Sequence, residues 1–230
     1  MNIEIYELLD GAKQASGCTV IIDVFRAFSL EAYFFNLGAT SIYPVSKLED
    51  AYHLHEIIPN SILVGERDGK KISDFDYGNS PSSIINKDFK DCTIIHTTSA
   101  GTQGIVSAKN ASKILAGSLV TAKATANYIK QLNPDKVSLV CMGWAGVRNT
   151  EEDELCALYI KSLLEDKPFD DIKERALNLR YQEGKKFFDP LKKEIFPEDD
   201  FWLCVDVDRF DFAIEVRKED SYYVANKVNV

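Results

Sequence analysis

Along the chain, short apolar blocks alternate with segments in which apolar positions recur every three or four residues, the signature of strands alternating with helices. Thr19 to Val24 is a β-branched run broken only by Asp23, as a central strand buried on both faces would be. Ser29 to Leu37 sets Leu30, Phe34 and Leu37 on one side and stops at Gly38, which predicts a helix. A short strand near Ser41 to Tyr43, a helix from Lys47 to Ile57 and the apolar run Ile62 to Val64 follow. Cys92 to His96, Lys113 to Leu115 and Val137 to Met142 read as further strands, with helices over Ala122 to Leu132 and from Thr150 to Leu164. Phe169 to Gly184 has a helical pattern through Ile172, Ala176 and Leu179. Leu203 to Val207 and Phe212 to Val216 alternate apolar and charged residues, as a half-buried antiparallel pair does, and Tyr222 to Ala225 reads as an edge strand. These elements predict an α/β fold: three layers, α/β/α, around a mixed, largely parallel sheet with a more antiparallel C-terminal part. Residues 1–230 read as one compact domain or two closely packed lobes.

Gly65 to Pro81, GERDGKKISDFDYGNSP, breaks the pattern. Its glycines, charges and proline exclude a helix and a core strand, so it reads as a loop, and a loop this long is usually a binding or catalytic segment. Glu66 and Arg67 sit where the apolar run ends, and the turn at Asn79 and Ser80 could face an anion.

Composition narrows the picture. The chain has 230 residues, 45% of them hydrophobic, and a formal charge of −9. No apolar run is long enough to span a bilayer, and MNIEIYELLD lacks the basic flank and apolar block of a signal peptide, so a cytoplasmic protein is expected. The five cysteines include no CxxC pair and read as reduced, mostly buried thiols. So acidic a chain without a basic stripe argues against a nucleic-acid partner. An anionic substrate would need a local cluster of cations, amides or a metal ion. A homodimer would be ordinary for an enzyme of this size.

Several candidate side chains follow the C-terminal ends of predicted strands, where open α/β sheets bind ligands. Asp23 is the sharpest, because a carboxylate in an apolar strand is costly unless compensated, and Arg26 nearby could pair with it. Thr97, Thr98, Ser99, Gly101 and Thr102 form a hydroxyl- and glycine-rich turn before a helix, a plausible anion cradle but not a Walker sequence. Ser118 and Arg148 follow two further strands. Glu152 and Asp153 fit a helix-capping pattern, and His96 reads as a satisfied core histidine. Asp206 and Asp208 alternate on an amphipathic stretch and need no chemical reason. Carboxylates with hydroxyls, glycines and arginines are the parts that hold a hard divalent cation and a phosphate.

IIDVFRAFS at 21–29, GERDGKKISDFDYGNSP at 65–81, TTSAGTQG at 97–104, GSLVTA and CMGWAGVRNTEED together resemble the 2-phosphosulfolactate phosphatase family. That resemblance implies a cytoplasmic, Mg²⁺-dependent phosphatase acting on the phosphate ester of a 2-hydroxy acid that bears a sulfonate, as in coenzyme M biosynthesis. It places the family's acidic residues on Asp23, Glu66, Glu152 and Asp153 as candidate metal ligands, which raises the last two above the capping reading. Phe28 ahead of Ser29 and Asp68 after Gly-Glu-Arg depart from the family's usual pattern. On this reading Asp23, Arg26, Glu66 and Arg67 are catalytic. Asn79, Ser80, Thr97, Thr98, Ser99, Gly101, Thr102, Ser118 and Arg148 would bind a small anionic phosphate ester. The attacker is left open between metal-bound water and a carboxylate such as Asp23. Two alternatives stand beside it. One is a haloacid-dehalogenase-like phosphatase, although Phe25 sits where that family needs a second Asp. The other is a non-catalytic binder of small anions.

Overall fold

A computed structural model describes residues 1–230. The first elements are β1 (Asn2–Glu7), α1 (Leu8–Gln14), β2 (Gly17–Ile22), α2 (Ala27–Asn36), β3 (Ser41–Pro44) and α3 (Leu48–Ile57). Then come β4 (Ser61–Arg67), β5 (Lys70–Lys71), β6 (Thr93–Thr97), α4 (Gly101–Ser107), β7 (Ala111–Gly117) and α5 (Ala122–Leu132). The last are β8 (Lys136–Cys141), α6 (Glu151–Leu164), α7 (Ile172–Asn178), α8 (Glu198–Cys204), β9 (Phe212–Glu219) and β10 (Tyr222–Asn229).

Ten strands make one mixed sheet in the order β1-β8-β2-β7-β9-β10-β3-β6-β4-β5. The blocks β1-β8-β2-β7 and β3-β6-β4 are internally parallel. The antiparallel β9-β10 hairpin joins them, pairing antiparallel with β7 on one side and β3 on the other. The α/β class and the antiparallel C-terminal part are as the pattern predicts.

β2 shows why its run is apolar throughout. Cys18, Val20 and Ile22 pack into one buried cluster with residues of α5 and α6, while Ile21 belongs to the other, with α1, α2 and α4. Alternate side chains thus serve both faces. Every residue of α2 except Asn36 is buried, the mark of a helix enclosed on all sides. The five cysteines are unpaired, and all but Cys92 are buried. No helix is long and apolar enough to cross a membrane.

Three expectations need correcting, and two elements were not predicted. Tyr222 to Ala225 is no edge strand: β10 lies between β9 and β3. Leu203 to Val207 is no strand either, because α8 runs to Cys204; three acids in its first turn suit a helix N-terminus, and Phe201 and Cys204 share its buried face. Gly65 to Arg67 is not loop but the end of β4, and the chain turns back through Asp68 and Gly69 into β5, where Arg67 pairs Lys70 and Glu66 pairs Lys71. Both turn residues are left-handed, φ 52° and 81°, the type I′ geometry for which Asp-Gly is a common choice. Finally, β1 and α1 escaped the pattern because NIEIYE carries half its positions as polar residues at the outer edge of the sheet.

The sheet must curl. β2 and β6 are five positions apart in the strand order, about 24 Å in a flat sheet. Yet Asp23, just past β2, accepts a hydrogen bond at 3.0 Å from the N–H of Gly101, a few residues past β6. Strand ends from both parallel blocks therefore meet in one place.

Candidate active site

Asp23 lies at that meeting point. Its Oδ1 accepts from the N–H of Ala27 at 3.2 Å and its Oδ2 from that of Gly101, the first residues of α2 and α4. The carboxylate therefore bridges two helix N-termini, where unpaired amides favour negative charge. Burial nevertheless pushes its pKa up to about 6, with the charge of Glu66 adding to the rise and the two amides opposing it.

Glu66 ties two loops together. Its Oε1 accepts from the N–H of Ser99 at 2.7 Å, and its Oε2 from the N–H of Gly69 at 2.7 Å and the hydroxyl of Ser99 at 3.3 Å. The hairpin tip and the β6–α4 turn are thereby held on either side of one carboxylate.

Arg26 does not pair with Asp23. Its Nη1 donates to Oδ2 of Asp200 at 2.6 Å, both side chains being buried, and its Nη2 to the carbonyl of Gly69 at 3.2 Å. The guanidinium lies over the Phe196 ring, 4.9 Å from its centroid. Asp200 also accepts at Oδ1 from the Ser80 hydroxyl at 2.9 Å and the N–H of Ser82 at 2.8 Å. Sequence reasoning missed Asp200, since its polar, charge-rich surroundings look like solvated surface; the signal available was the acidic first turn of a helix with a buried Phe201.

Asp23, Arg26, Glu66, Asn79 and Ser99 line one recess, closed by Gly143, Trp144 and Ala145 from the β8–α6 loop and by Phe25 and Phe196. Asp68 reaches its rim. Gly101 does not line the recess and reaches it only through the N–H it donates to Asp23. Other expected residues act behind it. Arg67 Nη2 donates to Thr97 Oγ1 at 3.0 Å, and strand alternation turns it away from Glu66. Thr98 and Thr102 bind each other reciprocally, each hydroxyl accepting from the other's N–H at 2.9 and 3.1 Å, which fixes the start of α4. Ser80 is held by Asp200. Ser118 is fully buried and its hydroxyl has no partner. Arg148 lies outside the recess: its side chain is 54% exposed and pairs with Glu183 at 3.0 Å.

Glu152 and Asp153 stand behind the wall. Asp153 accepts from the N–H of Val24 and of Gly143, each at 2.8 Å, so it staples the ends of β2 and β8. Burial, then the charges of Glu152 and Asp23, raise its pKa well above the usual range. Burial likewise lifts Glu152 to about 7, against the pull of Lys186, and its Oε2 has no partner.

No group of three or more His, Cys, Asp or Glu side chains is arranged to hold a metal ion. The four expected ligands therefore do not form a closed cage. Their chemistry still suits a hard cation: oxygen donors only, burial that raises the pKa of Asp23, Glu152 and Asp153, and one orphaned oxygen on Glu152. Mg²⁺ commonly takes one or two carboxylates and leaves its other positions to water and substrate phosphate. Asp23 and Glu66, both on the recess wall, could supply such a pair.

A family model described as 2-phosphosulpholactate phosphatase matches residues 3–219. The chain belongs to this family. A protein of Bacillus subtilis (strain 168) named "Probable 2-phosphosulfolactate phosphatase" is 29% identical over 231 residues, 99% of both chains. Proteins with the same name from Caldanaerobacter subterraneus subsp. tengcongensis and Carboxydothermus hydrogenoformans are 30% identical over 227 residues, 93% of each chain, and 36% identical over 177 residues, 76% of this chain and 73% of the relative. The 2-phosphosulfolactate phosphatase family is one of phosphoric monoester hydrolases. Phe25, where a haloacid-dehalogenase site needs its second acid, instead packs against Phe187 with ring centroids 5.1 Å apart.

Proposed function

We propose that this chain is a Mg²⁺-dependent phosphatase that hydrolyses the ester of a 2-phospho-3-sulfo acid, converting 2-phosphosulfolactate to sulfolactate and inorganic phosphate as coenzyme M biosynthesis requires. The observation that carries this reading is the convergence of Asp23, Arg26 and Glu66, from separate elements, on one recess in a family of phosphomonoester hydrolases.

In this reading Arg26, anchored by Asp200 with its guanidinium on the recess wall, faces the anionic substrate. An arginine has five N–H donors, so the bonds to Asp200 and Gly69 leave others for a phosphoryl or carboxylate oxygen. The Asn79 amide and the Ser99 hydroxyl complete the polar wall. Phe25, Trp144 and Phe196 limit water around the ester, which strengthens each electrostatic contact. A bound Mg²⁺ would polarise the phosphoryl group and offset the repulsion between the carboxylates and a negative ester. Asp23, with a pKa near 6, can hold or release a proton at neutral pH or attack phosphorus itself.

Phosphate release from a panel of 2-phospho acids, with and without Mg²⁺, tests this function. The expected result is Mg²⁺-dependent turnover with the highest kcat/KM for 2-phosphosulfolactate. Tight ligand binding with no phosphate released under either condition would instead assign a non-catalytic anion binder. A search for an aspartyl phosphate after rapid quenching separates a carboxylate nucleophile from an attacking water.

A further inference from the structure

Two buried ionisable side chains beside the recess have no part in the chemistry above. Glu31 is the one charged residue of α2 and is fully enclosed, with its Oε1 2.8 Å from Nδ1 of His96 and its Oε2 without a partner. His96, near the end of β6, is 1% exposed, and its Nε2 faces Oδ1 of Asn79 at 3.3 Å. Asn79 lines the recess, and its Nδ2 makes no hydrogen bond within the protein.

Enclosing a carboxylate and an imidazole in an apolar helix environment is costly unless each is matched, and apolar side chains of similar volume would fill the same space without that cost. Donor counting shows what the pair accomplishes. Asn79 Oδ1 is an acceptor, so a hydrogen on Nε2 of His96 satisfies it, while a single hydrogen, carried by Nδ1 or by the Glu31 carboxyl, completes the other contact. With Oδ1 held by the ring, the planar amide turns its Nδ2 donors toward the recess. The opposite orientation would present an oxygen to an anionic ligand.

We infer that Glu31 and His96 form a positioning relay that holds the Asn79 amide with its donors facing the phosphate ester. The inference rests on the phosphatase reading for the identity of the ligand. His96 and Glu31 touch no substrate; they act through Asn79.

Nitrogen NMR of the ¹⁵N-histidine-labelled protein at neutral pH reads the ring directly, with His96→Gln identifying its signals among those of the three histidines. An N–H on Nε2 of His96 is expected, and in Glu31→Gln, whose amide oxygen can accept from Nδ1–H, the hydrogen should move to Nδ1. Binding of inorganic phosphate, measured by calorimetry, should weaken about tenfold or more in Glu31→Gln and in Asn79→Ala, the loss expected for a hydrogen bond to a charged group. His96→Gln, whose amide can still donate to Asn79, should retain more affinity than His96→Leu. Should Glu31→Gln fail to fold, the wild-type ring signals and the Asn79→Ala titration still decide. A wild-type His96 without an N–H on Nε2, or Glu31→Gln or Asn79→Ala binding phosphate within twofold of wild type, overturns the relay and leaves the phosphatase reading standing. A wild-type protein that neither binds phosphate nor releases it from any ester overturns the phosphatase reading as well.

Discussion

Arg26 Nη1 and Asp200 Oδ2 meet at 2.6 Å across 174 positions of the chain, both side chains out of water. Through this contact α8 fixes the angle at which Arg26 enters the recess, and the same carboxylate holds the Ser80–Ser82 turn. Asp200→Ala leaves a buried guanidinium and a backbone N–H unmatched. It is expected to destabilise the fold by about 3–5 kcal/mol and to lower kcat/KM sharply. Chemical denaturation and the phosphate-release assay would show both, and a variant of near wild-type stability would mean that the pair is dispensable.

Asp23→Asn keeps the shape of the side chain but removes its charge. Turnover should fall by about 10²-fold or more, and because the new amide nitrogen cannot accept from the N–H of Ala27 or Gly101, the stability gained by removing a buried carboxylate should be offset. Wild-type kcat in this variant would remove Asp23 from the chemistry.

Stability should depend on pH and on Mg²⁺ together. Folding raises Asp23 from 3.8 to about 6 and Glu152 from 4.5 to about 7, in both cases mainly through burial. The folded state thus binds these protons more tightly than the unfolded one. Their contribution is fully present below about pH 4 and is lost as pH rises through 6 to 7. Groups held low, such as Glu215 at about 2, contribute stability that is lost only as pH falls from about 4.5 through 2. If a divalent cation restores the missing charge, Mg²⁺ should raise Tm more at pH 8 than at pH 5. Equal shifts at both values, or none, would count against a metal beside these carboxylates.

Gly101 tests the crowding around Asp23. A Cβ at this position would lie 2.9 Å from Asp23 Oδ2 and 3.0 Å from Phe28 Cζ. Gly101→Ala must displace the carboxylate or α4, and a displacement of about 1 Å can lower turnover by about 10²-fold. Steady-state kinetics on a variant shown by circular dichroism to be folded would measure it.

Arg148→Ala should do little. Its side chain is 54% exposed and lies away from the recess, and Glu183 keeps Lys186 as a second partner at 2.9 Å, so stability should change by no more than about 1 kcal/mol and kcat/KM by less than twofold. A tenfold rise in KM would show that the 143–148 loop brings Arg148 onto the substrate during turnover.

The strand-by-strand rhythm was legible because β2, β6 and β8 are buried on both faces and each carries a run of apolar residues, and because α5 carries one clean apolar face. Asp23 was legible for the same reason, as a charge in a run that tolerates none. What failed had identifiable causes. Asp68-Gly69 is a two-residue hairpin signal, but the charges around it masked the end of β4 as loop. Arg26 was matched with its near neighbour, whereas its partner lies in a distant helix whose burial no local pattern reveals. Thr98 and Thr102 have the composition of an anion cradle, yet their hydroxyls close on each other. Composition records which groups are present; orientation is decided by packing.

Hydrogen-bonded continuity of the sheet between the two parallel blocks runs only through β9 and β10, which come later in the sequence than every residue that lines the recess. A nascent chain that has already produced Asp23, Glu66 and Ser99 still lacks the bridge that brings those positions into register. Such long-range pairing makes folding slow. Assembly of the recess therefore depends on a hairpin that contributes no residue to it, and a break within β9 would remove the bridge between the two half-sheets without touching a single residue that lines the recess.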